Sequence, residues 1–550
     1  MTSPRLPNEC IYDILKFLKS HRSTLYNCLL VNRFWCKVTI SILYANPFKN
    51  LTHKKNYKII LNFILCFNEE EILKLKNEFE QVFIIHDINL NNNNNYKPLF
   101  NYLKYLKTFH FKIINSVISN WIKYYLNLSH MHNKFYKKFI PLFYDSILIQ
   151  CNNIKKLNIF LDGDHDICYK ICSNQYFISN LTNLNSLDLI IKDNETTQQF
   201  LGNIMNLCTK LGGLGISFKP KYSNNRHNNI NYIDDTTKEK LYTLIQKQHH
   251  LELFKLSYDA LLDHQYEILN LASFKLKDLM LIDLDNFYNK IKLNMIKYLG
   301  ASLQKLLLKG GIPTTPILES VSTYCLNLIT LEIDTLSYAY HLSSFSYTGD
   351  YSVEKQLFKD LAKLPTSLKE ISLFYYLCNP LVSFKYFLDN CHVCLEIINL
   401  NGSVNSLLPL EVILNYINRC NNSLKFLGIM GSYNDLNDDE LKFLDQIKAK
   451  EVIVDFYSVR NYDDDDFTTL NKQSSWNGLI YETYRYVTFI GPWIRNEDMK
   501  FKKPDVLTTR NPMSILSKAN KMQITDEELN VFGLARDEWN HLVKEEEEAD

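Results

Sequence analysis

The chain lacks any long hydrophobic run. Its longest strongly apolar stretch, residues 57–67, reads YKIILNFILCF; it is too short to cross a bilayer and contains Lys58 and Asn62. The first 30 residues also contain no apolar core of the kind that a secretory signal requires. We therefore expect a protein that has no membrane partner and is located in the cytoplasm, the nucleus or both.

An excess of charge of either sign is also missing. Over 550 residues, 61 Lys and Arg balance 60 Asp and Glu, which gives a net charge of +1 and a pI near 7.5. This balance provides no general attraction to nucleic acid or to anionic lipid. We therefore expect no nucleic-acid partner.

The cysteine pattern does not form a disulfide framework. The thirteen cysteines are odd in number and scattered, so we expect free, mostly buried thiols in a reducing compartment. Cys391-His-Val-Cys394 has the spacing of metal ligands, but no second pair stands at a matching distance. The sequence predicts packed thiols there, with no metal and no cofactor.

Motifs of catalysis are absent as well. The sequence contains no HExxH, no GxSxG and no kinase-like set. The glycines of LGGLGIS, residues 211–217, are not followed by the Lys-Ser/Thr of a phosphate-binding loop. We therefore expect no catalytic residue and no enzyme activity, and chemistry confined to residues 474–550 is the least favoured alternative.

What the chain does contain is a repeat of the form apolar-x-x-apolar-x-apolar. Eight of the ten steps between successive copies measure 25–30 residues, and a weaker copy at Leu106 precedes them. A constant phase over so many copies indicates stacked structural repeats. The copies begin at Ile154, Leu184, Leu211, Leu251, Leu276, Leu303, Leu328, Leu368, Leu395, Leu424 and, in a degenerate form, Ala449.

These copies resemble leucine-rich repeats, in which a short strand and a helix stack into a curved solenoid. The ninth position, usually Asn or Cys, here holds Asp162, Lys192, Lys219 or Gly311, so the resemblance implies an irregular horseshoe. The predicted fold class is α/β. Residues 106–460 form the solenoid, 49–105 a helical connector, and 461–550 a C-terminal cap or partly disordered acidic tail.

Residues 1–48 carry three helical segments of their own. They read LPNECIYDILKFL, then TLYNCLLVNRFW, and end near Asn46-Pro47. The order and spacing of Leu-Pro-x-Glu, the apolar helix and Val-Asn-Arg-x-Trp resemble an F-box. The matching positions are Leu6, Pro7, Glu9, Ile14, Leu15, Leu18, Leu25, Val31, Arg33 and Trp35.

The F-box resemblance implies a function. F-box proteins bind the Skp-type adaptor of a cullin-based (SCF) ubiquitin ligase, and their repeats hold the target that is ubiquitinated and degraded by the proteasome. The expected partners are therefore the adaptor, through it a cullin, and an unknown protein substrate. The adaptor-binding residues that the resemblance implies are Leu6, Pro7, Glu9, Ile14, Leu15, Leu18, Leu25, Val31 and Trp35.

A purely physical argument agrees that these helices need a partner. About 40 residues in three short helices are too few to build an independent core. The partner is either another protein or the chain's own solenoid. Two alternatives therefore stay open: a repeat scaffold whose N-terminal helices only cap the solenoid, and an F-box protein that acts outside a ubiquitin ligase.

Alternate strand residues of the repeats are expected to line the concave face of the solenoid. The charged ones count four positive, Lys156, Lys255, Lys305 and Lys309, against seven negative, Asp188, Asp278, Glu332, Asp334, Glu370, Glu451 and Asp455. This sign favours a protein or peptide ligand, basic toward the C-terminal end, over a nucleic acid. The predicted substrate contacts are Lys305, Lys309, Glu332, Asp334, Glu370, Phe374 and Phe426.

Overall fold

The structure is a computed structural model of the whole chain. It describes residues 7–48, 58–86, 88, 98–126, 132–161, 174–192, 194–218, 234–257, 275–283, 289–335, 351–374, 380–401, 410–430 and 436–457. The predicted cap or tail at 461–550 and the predicted adaptor residue Leu6 lie outside these ranges.

Sixteen α-helices and twelve strands occupy the described part of the chain. The helices are α1 (Asn8–Phe17), α2 (Arg22–Cys28), α3 (Arg33–Leu43), α4 (Lys58–Ile64), α5 (Glu69–Ile85), α6 (Phe111–Asn120), α7 (His132–Gln150), α8 (Gln175–Asn180), α9 (Glu195–Leu207), α10 (Asp235–Gln246), α11 (Asn289–Leu299), α12 (Thr315–Tyr324), α13 (Tyr351–Leu361), α14 (Pro380–Asn390), α15 (Leu410–Arg419) and α16 (Asp438–Lys448).

The strands are short and evenly spread along the chain. They are β1 (Thr108–His110), β2 (Lys156–Leu161), β3 (Ser186–Ile191), β4 (Gly213–Phe218), β5 (Leu253–Ser257), β6 (Asp278–Asp283), β7 (Lys305–Gly310), β8 (Thr330–Asp334), β9 (Glu370–Phe374), β10 (Ile397–Asn401), β11 (Phe426–Met430) and β12 (Ile453–Tyr457). They form one parallel sheet in strict chain order, which is the arrangement of a solenoid.

The repeat pattern explains where the strands start. In ten copies from Ile154 to Leu424, and in the weaker copy at Leu106, the strand begins two residues after the first apolar residue. In the copy at Leu303, the three apolar positions Leu303, Leu306 and Leu308 are all buried in the main core. The solenoid that the leucine phase predicts is therefore confirmed, including the weak first copy.

The strand register predicted for the last copy is wrong. Aligning AKEVIV from Ala449 assigns Glu451 to the strand, whereas Ile453 pairs with Phe426 and the true register lies two residues further on. The reason is that α16 runs to Lys448, so residues 449–451 form the turn. Glu451 adopts a left-handed backbone angle, with φ of 64°, and does not belong to the concave face.

One backbone contact recurs from repeat to repeat. The residue just before each strand offers its carbonyl oxygen to two successive N–H groups of the next repeat. Thus the Lys277 oxygen accepts from Gln304 N at 2.8 Å and from Lys305 N at 2.9 Å. The first acceptor in the series is Ala45, whose oxygen accepts from Lys107 N at 2.9 Å and Thr108 N at 3.0 Å. The N-terminal helices are therefore joined to the solenoid as if they ended in a repeat.

A second set of contacts joins the ends of successive helices. The Cys151 thiol donates to Leu103 O at 3.3 Å, and the Cys208 thiol donates to Leu181 O at 3.5 Å. Burial raises the pKa of the Cys208 thiol to about 12, so it stays protonated as a donor. Among the described cysteines most are buried as expected, but Cys10 and Cys394 are exposed.

The segment between the N-terminal helices and the second strand is built on aromatic packing. Its acidic helix α5 begins with a capping box, in which Asn68 Oδ1 accepts from Glu71 N at 2.9 Å and Glu71 Oε2 accepts from Asn68 N at 2.8 Å. Phe79 of this helix packs against Phe135 and Phe139 of α7 in tilted and edge-on arrangements, with ring centroids 4.4 and 5.9 Å apart. This packing extends the solenoid core toward the N-terminal helices.

The glycines of LGGLGIS serve the sheet. Gly215 of β4 is paired with Asp188 of β3 on one side and Lys255 of β5 on the other. Because Gly215 has no side chain, the Lys255 ammonium and the Asp188 carboxylate meet above it at 4.0 Å. A Cβ atom at this position would lie 2.2 Å from Asp188 Oδ1. The close approach of these side chains therefore accounts for the glycine.

We expect Gly215→Ala to lower the free energy of unfolding by about 1–3 kcal/mol, because the added methyl overpacks a filled site. Gly202→Ala is the matched control. Gly202 lies inside α9, and the nearest atom to a Cβ added there would be Lys240 Nζ, at 3.9 Å. Gly202→Ala should raise the free energy of unfolding by about 0.5–1 kcal/mol, because alanine favours the helix more than glycine does. Urea unfolding followed by circular dichroism measures both, and equal midpoints for the two variants would contradict this account.

Candidate functional site

The first candidate surface belongs to the N-terminal three-helix unit, α1 to α3. Its interior is a small cluster of Ile11, Leu15, Leu25, Cys28 and Leu43, with half-buried residues packed around it. Arg22 joins the end of the unit to the start of α2, since its guanidinium donates to Asn46 O and Pro47 O, both at 3.4 Å. The unit therefore has a core of its own, although a very small one.

Helix α3 also belongs to the main core. Cys36 and Ile40 on this helix belong to the same buried cluster as the solenoid core, and Tyr44 stacks on Tyr102 with ring centroids 4.2 Å apart. Asn62 Nδ2 donates to the Tyr44 hydroxyl at 3.2 Å. Together with the Ala45 carbonyl, these contacts fix one side of the unit to the solenoid.

The unit also exposes several large apolar side chains. Phe17 is 75% exposed, Val31 is 56% exposed and Leu30 is 53% exposed. Ile14, Tyr12 and Tyr26 are also exposed. We call Ile14, Phe17, Leu30 and Val31 the outer apolar face. An exposed group of this kind is typical of a protein–protein interface.

The predicted adaptor residues are divided between the surface and the interior of the unit. Pro7, Glu9, Ile14 and Val31 are exposed, and Leu18 and Trp35 are half-buried. Leu15 and Leu25 lie inside the unit with at most 1% of their surface exposed, and their contact with an adaptor stays a prediction. Leu15, four residues after Ile11, lies on the same inward side of α1, whereas Ile14 lies at the exposed edge of that stripe.

Phe17 and Leu30 are the residues that the sequence argument missed. Phe17 lies three residues after Ile14 in the same helix, and Leu30 directly precedes Val31. That spacing was the signal that could have identified them, because residues three apart share a helix face. The turn at Val31 is set by Asn32, whose side-chain oxygen caps α3 by accepting from Trp35 N at 3.0 Å.

The second candidate surface is the concave face of the sheet. Strand register places the predicted residues in rows: Lys305, Glu370 and Phe426 share one, Glu332 lies in the next, and Lys309, Asp334 and Phe374 share the third. Their placement on one face agrees with the alternation of strand side chains.

Their exposure does not agree with the prediction. Lys309 and Glu332 are each 3% exposed, Asp334 is fully buried and Phe374 is buried as well, while Lys305, Glu370 and Phe426 are half-buried. Met280, Ile282 and Leu307 form a separate small apolar cluster on the same face. Alternation predicts which face a side chain takes but not whether that face is covered. The centre of the concave face is packed, so most of the predicted substrate contacts are not accessible.

Charges in this packed centre neutralise one another. The Lys309 ammonium lies 3.4 Å from the Asp334 carboxylate on the neighbouring strand, with both side chains almost fully buried. Burial lowers the pKa of Lys309 and of Lys305, and it raises the pKa of Glu332 to about 8, against the attraction of Lys305. Burial likewise raises the pKa of Asp278 to about 6. The group therefore combines the buried Lys309–Asp334 ion pair with a Glu332 carboxyl whose raised pKa favours its protonated form.

The two ends of the concave face remain open. In β2 and β3 the outward side chains of Lys156, Asn158, Phe160 and Asp188 are half-buried, and Asn158 Nδ2 donates to Asp188 Oδ2 at 2.7 Å. At the other end, Ile453 of β12 is 65% exposed. Accessible contacts for a ligand therefore lie toward the ends.

These features define a solenoid of the leucine-rich-repeat type. Among solved structures, the chain is similar to a leucine-rich-repeat-containing protein, LegL7, from Legionella pneumophila, with 16% identity over 55% of this chain and 90% of that one, and a TM-score of 0.35. It is also similar to a chain of the Rad7 and Elc1 complex from yeast, with 16% identity over 54% and 74% of the two chains and a TM-score of 0.33. Both similarities are too low to carry an argument about function.

The chain matches no protein-family model, and no curated protein is found as a relative. Within the described ranges, no helix is both long and apolar enough to cross a membrane. The same residues contain no group of three His, Cys, Asp or Glu side chains placed to hold a metal ion.

We expect Lys309→Met to lower the free energy of unfolding by roughly 3–5 kcal/mol, because it leaves the Asp334 carboxylate buried without its cation. Asp334→Leu should have a similar effect. The double variant should lose clearly less than the sum of the two, and denaturant unfolding of all three measures the coupling. Lys442→Met in the exposed Lys442–Asp439 pair is the control and should change little. Additive losses would contradict a buried pair.

A second expectation concerns pH. Since the pKa of Glu332 rises from 4.5 when unfolded to about 8 when folded, the folded chain holds a proton that the unfolded chain has lost. Its stabilising effect is complete below the lower value and is lost as the pH rises through the higher one. Glu332→Gln should therefore flatten the fall in melting temperature between about pH 5 and 8.

The control for this measurement is Glu396→Gln. The pKa of Glu396 is lowered by hydrogen bonds from Lys425 and Lys369, so its contribution disappears only in acid. This variant should leave the profile above pH 5 unchanged. If Glu332→Gln also leaves the dependence of melting temperature on pH unchanged, then Glu332 does not hold a proton in the folded chain.

Proposed function

We propose that this chain is a non-catalytic substrate receptor of an SCF-type cullin ubiquitin ligase. In this proposal the N-terminal unit is an F-box that binds a Skp-type adaptor, and the solenoid binds the target protein. The observation that carries the proposal is the outer apolar face, which lies on a unit that α3 anchors to the solenoid. Several large exposed apolar side chains on so small a unit are typical of a protein–protein interface.

The attachment of the unit supports the same reading. The Ala45 carbonyl, the Tyr44–Tyr102 stack and the buried Cys36 and Ile40 hold α3 against the solenoid. An adaptor bound to the outer face would then stand at a fixed distance from any target bound on the repeats. A receptor works by placing its target near a reactive group on another subunit, and that requires a defined geometry.

The target would bind at the open ends of the concave face in this proposal. Phe426 is half-buried, and Ile453 and Asp455 on the neighbouring strand are exposed. An apolar patch beside a carboxylate suits a peptide that carries an apolar residue next to a basic one. The packed ionic cluster of the central strands would support this surface rather than touch the target.

A second candidate function is a repeat scaffold that acts outside a ligase, with the N-terminal unit as a cap. The observation that favours it is the burial of Cys36 and Ile40 in the solenoid core, since a cap covers the open end of a repeat array. The two functions differ in the outer apolar face, for which a pure cap has no use.

The test is co-purification of the full chain with a Skp-type adaptor. Phe17→Asp and Val31→Asp should each weaken binding by about thirtyfold or more, the loss typical of a central interface residue. Neither change should lower the melting temperature, because both side chains are exposed. Isothermal titration calorimetry and circular dichroism give the two readouts.

Ile453→Asp is the matched control, since it places the same charge on an equally exposed apolar residue at the far end of the solenoid. It should leave adaptor binding unchanged. Failure of the full chain to bind any Skp-type adaptor, or equal binding by all variants, would overturn the proposal and favour the cap. If the chain binds the adaptor but the complex does not recruit a cullin, the chain acts outside a ubiquitin ligase.

A further inference from the structure

Two cysteine thiols meet near the C-terminal end of the solenoid. Cys394 lies just before the first apolar residue of the β10 repeat, and Cys420 follows the last residue of α15. Their side chains lie close enough to interact electrostatically. Cys394 is exposed and Cys420 is partly exposed, so small reagents reach this pair.

Neighbouring contacts hold the two chain segments together. Tyr416 of α15 donates its hydroxyl proton to Val393 O at 2.8 Å and accepts from Leu395 N at 2.6 Å. Ser423 Oγ donates to Leu395 O at 3.2 Å. These bonds lie on both sides of the thiol pair, so its proximity does not depend on side-chain rotamers alone.

The backbone after α15 turns back sharply. Asn421 and Asn422 adopt left-handed φ angles of 50° and 58°, and Asn422 N donates to Ile417 O at 3.0 Å. Asn tolerates this conformation better than most residues do. The turn begins directly after Cys420, at the point where the chain passes Cys394.

The sequence motif alone would suggest a different pair, Cys391 with Cys394. In the structure the Cys391 thiol is buried and donates to Val393 O at 3.6 Å. The exposed Cys394 therefore has Cys420, which lies before the strand of the adjacent repeat, as its partner. This distinguishes the pair from the buried Cys208 and Cys325, for which burial raises the pKa of each thiol to about 12.

We propose that Cys394 and Cys420 form a disulfide when the protein meets a peroxide. The Cys394 thiolate attacks one peroxide oxygen and the O–O bond breaks. This gives a sulfenic acid and a hydroxide, which takes up the proton that the thiol lost and leaves as water. The Cys420 sulfur then attacks the Cys394 sulfur, the S–O bond breaks and a second water leaves. Each sulfur is oxidised by one electron, and hydrogen peroxide is reduced to two waters.

The local chemistry makes this reaction slow at neutral pH. The interaction with Cys420 and desolvation raise the pKa of the Cys394 thiol, while the Arg419 guanidinium opposes that shift. Since the thiolate is the nucleophile, the rate should rise roughly tenfold for each pH unit below the pKa. Once formed, the bond ties adjacent repeats and should raise the melting temperature of the full chain.

Peptide mapping of the full chain after hydrogen peroxide treatment tests the pairing. Trypsin cuts after Lys385, Arg419 and Lys425, so Cys391 and Cys394 share the peptide 386–419 and Cys420 lies in 420–425. We expect these two peptides to be joined without reductant and separate with it. A bond between Cys391 and Cys394 would instead stay inside one peptide.

Single variants identify the partners. Cys394→Ser and Cys420→Ser should abolish the joined peptides, and Cys391→Ser should keep them. Cys208 and Cys325 serve as internal controls that should remain reduced in the folded protein. No joined peptide in the wild-type chain, a link that survives Cys394→Ser, or a rate that does not rise with pH would each overturn the proposal.

Discussion

One backbone interaction carries the architecture: a carbonyl oxygen before each strand accepts two N–H groups of the next repeat. The series runs from Ala45 to Lys425, where the oxygen accepts from Ile453 N at 2.9 Å. Because main-chain atoms make these bonds, they do not depend on a particular side chain at each position. This explains how the sheet stays in register although Asn is missing from the ninth positions of the copies that begin at Ile154 and Leu184. Side-chain thiols and amides at the helix ends, such as Cys208, add a second connection.

The same interaction gives the N-terminal helices two roles. Since Ala45 provides the first acceptor of the series, α3 must lie against the solenoid, and its Cys36 and Ile40 become core residues. The exposed side chains of the unit then remain for a partner. Removing residues 1–48 would therefore expose solenoid core as well as delete the outer apolar face. Point changes at Phe17 or Val31 separate docking from capping, which a truncation cannot do.

The regular spacing of the leucines was enough to predict the solenoid, because each buried position repeats once in every structural unit. The same spacing gave a wrong register at Ala449, where turn residues match the repeat pattern. The candidate surfaces were harder to predict. Whether Ile14 or Leu15 faces outward depends on where α2 and α3 pack, which no single helix encodes. Likewise, alternation places Lys309 and Asp334 on the concave face, but tertiary packing decides that they are buried there.

Burial changes what the concave charges can do. An exposed Lys or Asp can recognise a ligand by charge, whereas a buried one must be matched within the protein because desolvation is so costly. Lys309 pairs with Asp334, and Lys255 reaches Asp188 across the bare backbone of Gly215. Each pair joins different strands, so it selects the register of the sheet as well as balancing charge. Recognition then falls to positions where burial ends, beside Phe426 and Ile453, and the net acidity of the central strands is not a guide to the ligand.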